Sequence, residues 1–482
     1  MRKVFSFLIC TILLFVLLNL VNAVLMDDRI YSKNSEFYDN NNQDEYDVLF
    51  FGSSHITRSV IPMELWKEYG ITSYNLGNLG QLIPVNYWVL KDALNRVKPK
   101  VVVIDVYPLS MNEKTNVGSF FGIMHETFDV MPFSITKMQA LSDLLDFDDA
   151  IQYIFPLEYF HINWENFHSF YSDATSRKSI SKGGQLYVSD GTETIVTLNN
   201  PFYNSNETYY EEETTAKVYL RKIIELCNDN GVDILLLNTP YDEDVEDVKW
   251  NNSAQLIADE YNVNYLNCCK MDSPVNFRVD YYDGGKHVNP SGARSITKII
   301  GKYLREKYNL KSEHSNEIVN RWNYYYEEYL GQKVLDLKRQ TQMESYFILL
   351  KDSDYDILID FNSKDILNEE LTIELLKNLK IETDKLVPES WILIKAGERA
   401  EIYKHEELDN KEISTVLGNM YVDKGDDSIS ILFDDRVIYS DEQYSDIPDG
   451  VLRILVLDSK THDLLDQCSI CYENELKNEV VR

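Results

Sequence analysis

The stretch Asp47-Val48-Leu49-Phe50-Phe51-Gly52-Ser53-Ser54-His55 decides the fold. Four apolar residues without polar alternation read as a strand buried on both faces, and Gly-Ser-Ser supplies the small residues of a turn into a helix. Such a strand belongs to a parallel sheet covered by helices, and a serine just past its end stands at the carboxyl edge, where open α/β folds bind ligands. The pattern recurs in Val101–Val106 and Val232–Leu237, which follow the helix-like segments Val85–Val97 and Thr215–Asn228. The second of those closes on Asn230-Gly231, a helix-stop signal, and a shorter strand, Asn262–Leu266, follows helix-like Ser253–Tyr261. Strands alternating with helices predict an α/β sheet with helices on both faces.

Two regions break that rhythm. Residues 108–214 form an insertion too long for a loop and rich in aromatics (Phe120, Phe121, Trp164, Phe167, Phe170, Tyr171), read as a cap over the sheet edge. From about Asn316 a helix-like segment, Ile318–Gln340, leads into strand candidates Tyr346–Leu350, Tyr355–Phe361, Trp391–Lys395, Ile429–Phe433 and Leu452–Leu457, separated by charged turns. Period-two alternation there predicts a separate, mainly antiparallel β domain over 315–482. No internal repeat is found.

The N-terminus carries its own signal. Arg2 and Lys3 precede an apolar run from Val4 to Met26 that ends at Asp27 and Asp28. About 20 apolar residues span a bilayer as a helix, and basic residues before the run keep the N-terminus cytoplasmic. Residues 1–26 are therefore expected to be a transmembrane anchor with everything after it extracytoplasmic. A cleaved signal peptide is the competing reading, from the small residue Ala23 two positions after Val21. The Asn- and Asp-rich stretch 27–46 reads as a tether.

The 482 residues allow two or three domains at roughly 100 to 200 residues each. With 79 acidic against 47 basic side chains, the net charge of −32 excludes unspecific nucleic-acid binding and polybasic attachment to lipid. The 44% hydrophobic content excludes a disordered acidic chain. Besides Cys10 in the apolar run, Cys227, Cys268, Cys269, Cys468 and Cys471 are too few and too unevenly spaced for a disulfide framework. The pair Cys468 and Cys471 lacks the further ligands of a zinc site, and is read as part of a strand.

A second stretch gives the serine a chemical context: Asp283-Gly-Gly-Lys-His287-Val-Asn289-Pro-Ser-Gly292-Ala293, followed by an amphipathic helix, Arg294–Lys307. An Asp and a His close together on a Gly-rich loop supply a base and the carboxylate that orients it. His55 beside Ser54 is a weaker base candidate, since adjacent side chains on a turn seldom converge. His125, His161 and His168 fall in the insertion and read as packing residues. The acidic clusters Glu211–Glu213 and Asp242–Asp247 read as solvated faces.

Residues 47–310 resemble the SGNH, or GDSL-like, hydrolases in three ordered blocks. Gly52-Ser53-Ser54-His55 is similar to the nucleophile block, Asn75-Leu-Gly77-Asn-Leu-Gly80 to the glycine block, and the segment around His287 to the Asp-x-x-His block. The resemblance implies a flavodoxin-like three-layer fold over 47–312 and a triad of Ser54, His287 and Asp283, with Asp280 as the alternative acid. It implies an oxyanion hole from the N–H groups of Ser54 and Gly80, and no cofactor or metal. Two departures stand out. Asp105-Val-Tyr107-Pro108 occupies the place of the family's oxyanion Asn, and the acid lies four residues before His287, with Gly284 where the family has Asp. The chain looks most like the membrane-anchored members that accompany membrane-bound O-acyltransferases in acylating surface polymers. The implied partners are such an acyltransferase and a surface polysaccharide. The rival readings are a non-catalytic accessory and a secreted esterase.

Overall fold

The computed structural model describes residues 2–25, 34–38, 45–111, 121–154, 181–188, 208–271, 275–310, 313–362, 365–368, 370–425, 428–442, 451–471 and 479–482. The chain divides into two compact units. The first comprises Met1–Gln185, Asn200–Pro274 and Ile296–Tyr326; the second comprises Leu186–Asn199, Val275–Ser295 and Glu327–Arg482. The stretch that carries Asp283 and His287 groups with the C-terminal residues.

In the first unit, strands β1 (Val48–Phe51), β2 (Ser73–Asn75), β3 (Val101–Asp105), β4 (Asp233–Asn238) and β5 (Asn264–Asn267) form one parallel sheet in the order β2-β1-β3-β4-β5. This is the flavodoxin-like order. Every residue of β1 and β3 is buried, which accounts for their lack of polar alternation. The connecting helices begin and end on local signals. Asp244 and Asp247 form a capping box at the start of Val245–Tyr261, and Gly70 closes Pro62–Tyr69 at φ 63°. The acidic run 242–247 thus starts a helix, and Glu213 of the other acidic cluster pairs with Arg221 at 2.7 Å.

Two expectations change in this unit. The supposed tether contains a buried helix, Asn34–Tyr38, whose Phe37 ring lies 5.4 Å from Tyr74 and 5.8 Å from Tyr46. Aromatic residues bury apolar area whatever the average polarity around them. The described part of the insertion holds the helices Phe121–Phe128, Ile135–Leu144 and Phe147–Ile154. His125 is a core residue there, paired with Asp129 at 2.7 Å and stacked on Tyr153. The insertion also lines the edge of the sheet, where the Asn75 N–H donates to the Lys182 carbonyl at 3.0 Å. Phe120, His161, Trp164, Phe167, His168, Phe170 and Tyr171 lie outside the described residues.

Arg2–Leu25 is one continuous helix of 24 residues, several of whose side chains are not described. Among the described residues no helix is long and apolar enough to cross a membrane.

In the second unit, β6 (Tyr355–Phe361), β7 (Ser390–Ile394), β8 (Glu401–Lys404), β9 (Glu412–Thr415), β10 (Gly418–Lys424), β11 (Ile429–Phe433), β12 (Arg436–Asp441), β13 (Val451–Asp458), β14 (Leu464–Cys471) and β15 (Val480–Val481) build two antiparallel sheets. Their orders are β15-β14-β13-β6-β7-β8 and β12-β11-β10-β9. Alternate residues of β6 serve two cores: Ile357, Ile359 and Phe361 pack with the helices Met343–Leu350 and Glu370–Asn378, and Leu358 packs with Met420, Val422 and Ile431. Cys468 and Cys471 both lie in β14, as expected of a strand.

The segment Tyr346–Leu350, expected as a strand, is the end of the helix Met343–Leu350, all eight residues of which are buried. A short run that is apolar all round does not reveal its period. Glu344 is buried in this helix, and its Oε1 has no hydrogen-bond partner among the described residues. Desolvation pushes its carboxyl from 4.5 up to about 7. The folded state then holds a proton that the unfolded state releases, so stability is greatest below pH 4.5 and falls as pH rises through about 7. Glu344→Gln is therefore expected to melt like the wild type near pH 4.5. By pH 8 it should be more stable by about 2 to 3 kcal/mol, read from urea unfolding at both values.

Candidate active site

Chain direction gathers Ser54, Gly80 and Asp105 at one edge of the first unit's sheet. From β1 the chain crosses to β2 on one side, and β3 lies on the other, so the carboxyl end of β1 is a topological switch point. Ser53 caps the helix Ser54–Ser59, its Oγ accepting from the His55 N–H at 3.2 Å. The Ser53 hydroxyl in turn donates to Asp105 Oδ2 at 2.7 Å, and the Ser53 N–H reaches the same oxygen at 3.1 Å. The other carboxylate oxygen, Oδ1, accepts the Tyr107 N–H at 3.0 Å. Asp105 thus ties the ends of β1 and β3 together.

Gly52 makes this closeness possible: a Cβ there would lie 2.3 Å from Asp105 Cβ. Gly77 does the same for the glycine loop, where a Cβ would lie 2.3 Å from Ile56 Cγ2. The Asn78 N–H donates to the Gly52 carbonyl at 3.0 Å and fixes the two loops against each other. The N–H groups of Gly77, Leu79 and Gln81 are also engaged, by Asn75 Oδ1, Asn78 Oδ1 and the Asn78 carbonyl. That of Gly80, at φ 59°, has no acceptor among the described residues. Ser54 is the half-buried first residue of its helix. His55 is buried, stacked on Tyr107 at 3.6 Å and edge-on to Tyr241 at 5.0 Å, which makes it a packing residue of the sheet edge.

Asp283 and His287 lie on a short hairpin in the second unit. The Asn289 N–H donates to the Asp280 carbonyl at 2.9 Å, Tyr281 and Val288 form an antiparallel bridge, and the Tyr282 N–H donates to the His287 carbonyl at 3.2 Å. Gly284 and Gly285 turn the tip at φ 72° and 88°, a left-handed region that suits glycine. Across this turn the Asp283 carboxylate accepts the His287 N–H at 2.7 Å and meets Nδ1 at 2.5 Å. An ionised carboxylate only accepts, so in this pair the proton lies on Nδ1. The spacing of four residues is the span of this two-glycine turn.

Asp280, the alternative acid, is committed elsewhere. It is fully buried and accepts from the Asn276 N–H at 2.8 Å, the Ser291 hydroxyl at 2.5 Å and Asn378 Nδ2 at 3.1 Å.

Ser54, Gly80 and Asp105 thus belong to the first unit, and Asp283 and His287 to the second. The role of Asp105 escaped the sequence reading, in which it counted only as the loss of an Asn. An acid closing an otherwise apolar strand beside a Gly-Ser turn was the available signal.

No family model matches the chain, and no curated protein matches it. Among solved structures it is similar to a protein from Bacteroides fragilis provisionally described as an acylhydrolase, with 11% identity and a TM-score of 0.27 over 58% of this chain and 95% of that one. It is also similar to one from Streptococcus pneumonia provisionally described as a platelet activating factor, with 13% identity and a TM-score of 0.30 over 59% and 96%. Likenesses of this size carry no argument about function.

Proposed function

We propose that this chain is a membrane-anchored, extracytoplasmic serine acyl-transfer protein or esterase that acts in O-acylation, favouring O-acetylation, of a cell-surface polysaccharide. The observation that carries the reading is the Asp283–His287 pair, which fixes the tautomer a general base needs. In the proposed reaction Ser54 Oγ attacks an ester carbonyl and His287 Nε2 takes the hydroxyl proton. The acyl group forms a new ester with Ser54 as the alcohol departs with that proton. Water, or a sugar hydroxyl, then accepts the acyl group by the reverse sequence. The N–H groups of Ser54 and Gly80 serve the tetrahedral oxyanion, and loss of one such donor costs roughly 3 to 4 kcal/mol in the barrier.

The apolar run Val4–Met26 after Arg2 and Lys3 supports the anchor. The chain from Leu25 to the buried helix at Asn34 then spans at most about 30 Å, which keeps an anchored first unit close to the bilayer. The charge of −32 disfavours a polyanionic acceptor and favours a neutral or weakly charged glycan. A membrane-bound O-acyltransferase is the partner that the resemblance implies.

The rival reading is a non-catalytic accessory, favoured by Asp105, which as a carboxylate donates no hydrogen bond to an oxyanion. The full-length chain in detergent micelles, treated with a serine-directed fluorophosphonate, separates the two. Labelling lost in Ser54→Ala and slowed in His287→Ala is expected; an unlabelled wild type would sink the catalytic reading.

A further inference from the structure

The hairpin that carries Asp283 and His287 meets the C-terminal part of its own unit along a stripe of one helix, among other contacts. Glu370, Glu374 and Asn378 are spaced i, i+4, i+8 along Glu370–Asn378 and so share a face. Each meets the segment leading into the hairpin. Glu370 pairs with Arg278 at 2.5 Å, Glu374 lies 3.3 Å from Asn276 Nδ2 and 3.7 Å from Arg278, and Asn378 donates to Asp280 Oδ1 at 3.1 Å.

The contacts grow more numerous toward the base of the hairpin. Asn378 Nδ2 also reaches Ser291 Oγ at 3.1 Å, and its Oδ1 accepts from Lys351 Nζ at 2.8 Å. Lys351 Nζ lies 3.4 Å from both oxygens of Asp280. Burial pulls the Lys351 ammonium down in pKa, and Asp280 opposes that pull. Gly292 lets the following helix close on this hub, since a Cβ there would lie 2.6 Å from the Asp280 carbonyl oxygen. From Asp280 and Asn289 the two strands run three and two residues to Asp283 and His287.

We propose that Lys351 and Asn378 are positioning residues for His287: by clamping Asp280 at the base of the hairpin, they hold the Asp283–His287 pair in register at its tip. This rests on the reading of His287 as the general base. It gives the C-terminal residues a task in the chemistry, because a hairpin joined by few ladder bonds stays in one register only when its ends are fixed.

The test uses the full-length chain in micelles, with Lys351→Met and Asn378→Ala, and Glu370→Ala as a control at a rim that is largely exposed. Two readouts are taken on folded protein: kcat and KM for an aryl acetate, and the downfield proton resonance of His287 Nδ1–H, assigned by its absence in His287→Gln. The expected result is a fall of about tenfold in kcat at nearly constant KM, with a broadened or lost resonance, in both variants but not in the control. Wild-type kcat and an intact resonance in folded Asn378→Ala would overturn the proposal, whatever happens to Lys351→Met. The resonance is read without turnover, so an inactive wild type would defeat the enzymatic reading while the clamp is still judged on the proton.

Discussion

Ser54→Ala is expected to lower kcat for an aryl acetate by about 10⁴-fold or more while leaving KM within about threefold, because the hydroxyl acts in bond making and contributes little to ground-state binding. His287→Ala should fall to nearly the same floor, and the double variant no further, since nucleophile and base act as one unit. The neighbouring serine is the internal control. Ser53 is held by Asp105 and caps the helix that Ser54 begins, so Ser53→Ala should cost about 1 kcal/mol of stability as a lost cap, plus part of a hydrogen bond. Its rate should fall by far less than that of Ser54→Ala. Steady-state rates and urea midpoints on the same preparations separate the two effects. A Ser54→Ala rate within tenfold of wild type, or a larger loss for Ser53→Ala, would remove Ser54 from the role of nucleophile.

The sheet was legible in the sequence because its physics is local. Val48–Phe51, Val101–Asp105 and most of Asp233–Asn238 are buried because both faces of the sheet are covered, and the residues after Phe51 are small because the next helix starts at once. Met343–Leu350 was not legible as a helix, because burial on every side erases the periodicity that separates helix from strand. The Asn34–Tyr38 helix was hidden by its polar neighbours, although Phe37 and Tyr38 are each about as buried as a core residue, at 5% and 6% exposure. At the site, the pairing of Asp283 with His287 could be proposed from four residues of spacing, since a hairpin turn is a local object. The clamp on Asp280 could not, because Lys351 and Asn378 lie 71 and 98 residues away in sequence and only folding brings them together.

The stability experiment with the largest expected effect concerns Asp105, and it also accounts for the residue that stands where an Asn was expected. Three donors converge on this buried carboxylate, two on Oδ2 and one on Oδ1, so both oxygens must accept. An Asn offers one acceptor and one NH₂ group, and whichever way it is turned the NH₂ faces a donor. Asp105→Asn should therefore cost about 1 to 3 kcal/mol, the penalty of leaving one buried donor without a partner. Asp105→Leu leaves three such donors in an apolar setting, and the expected loss is about 3 to 6 kcal/mol. Urea unfolding reads both, and the order wild type, Asn, Leu is the diagnostic. An Asn variant as stable as the wild type would mean that the carboxylate is not needed as a double acceptor. Asp105→Asn should also slow ester turnover by moving Ser53, and with it the first turn of the helix that presents Ser54, because the Ser53 hydroxyl joins the strand end to that helix. A slower rate accompanied by lower stability is what a residue acting through Ser53 predicts. A faster rate, with the new amide serving the oxyanion itself, would instead make the position a donor site that this chain has given up for rigidity.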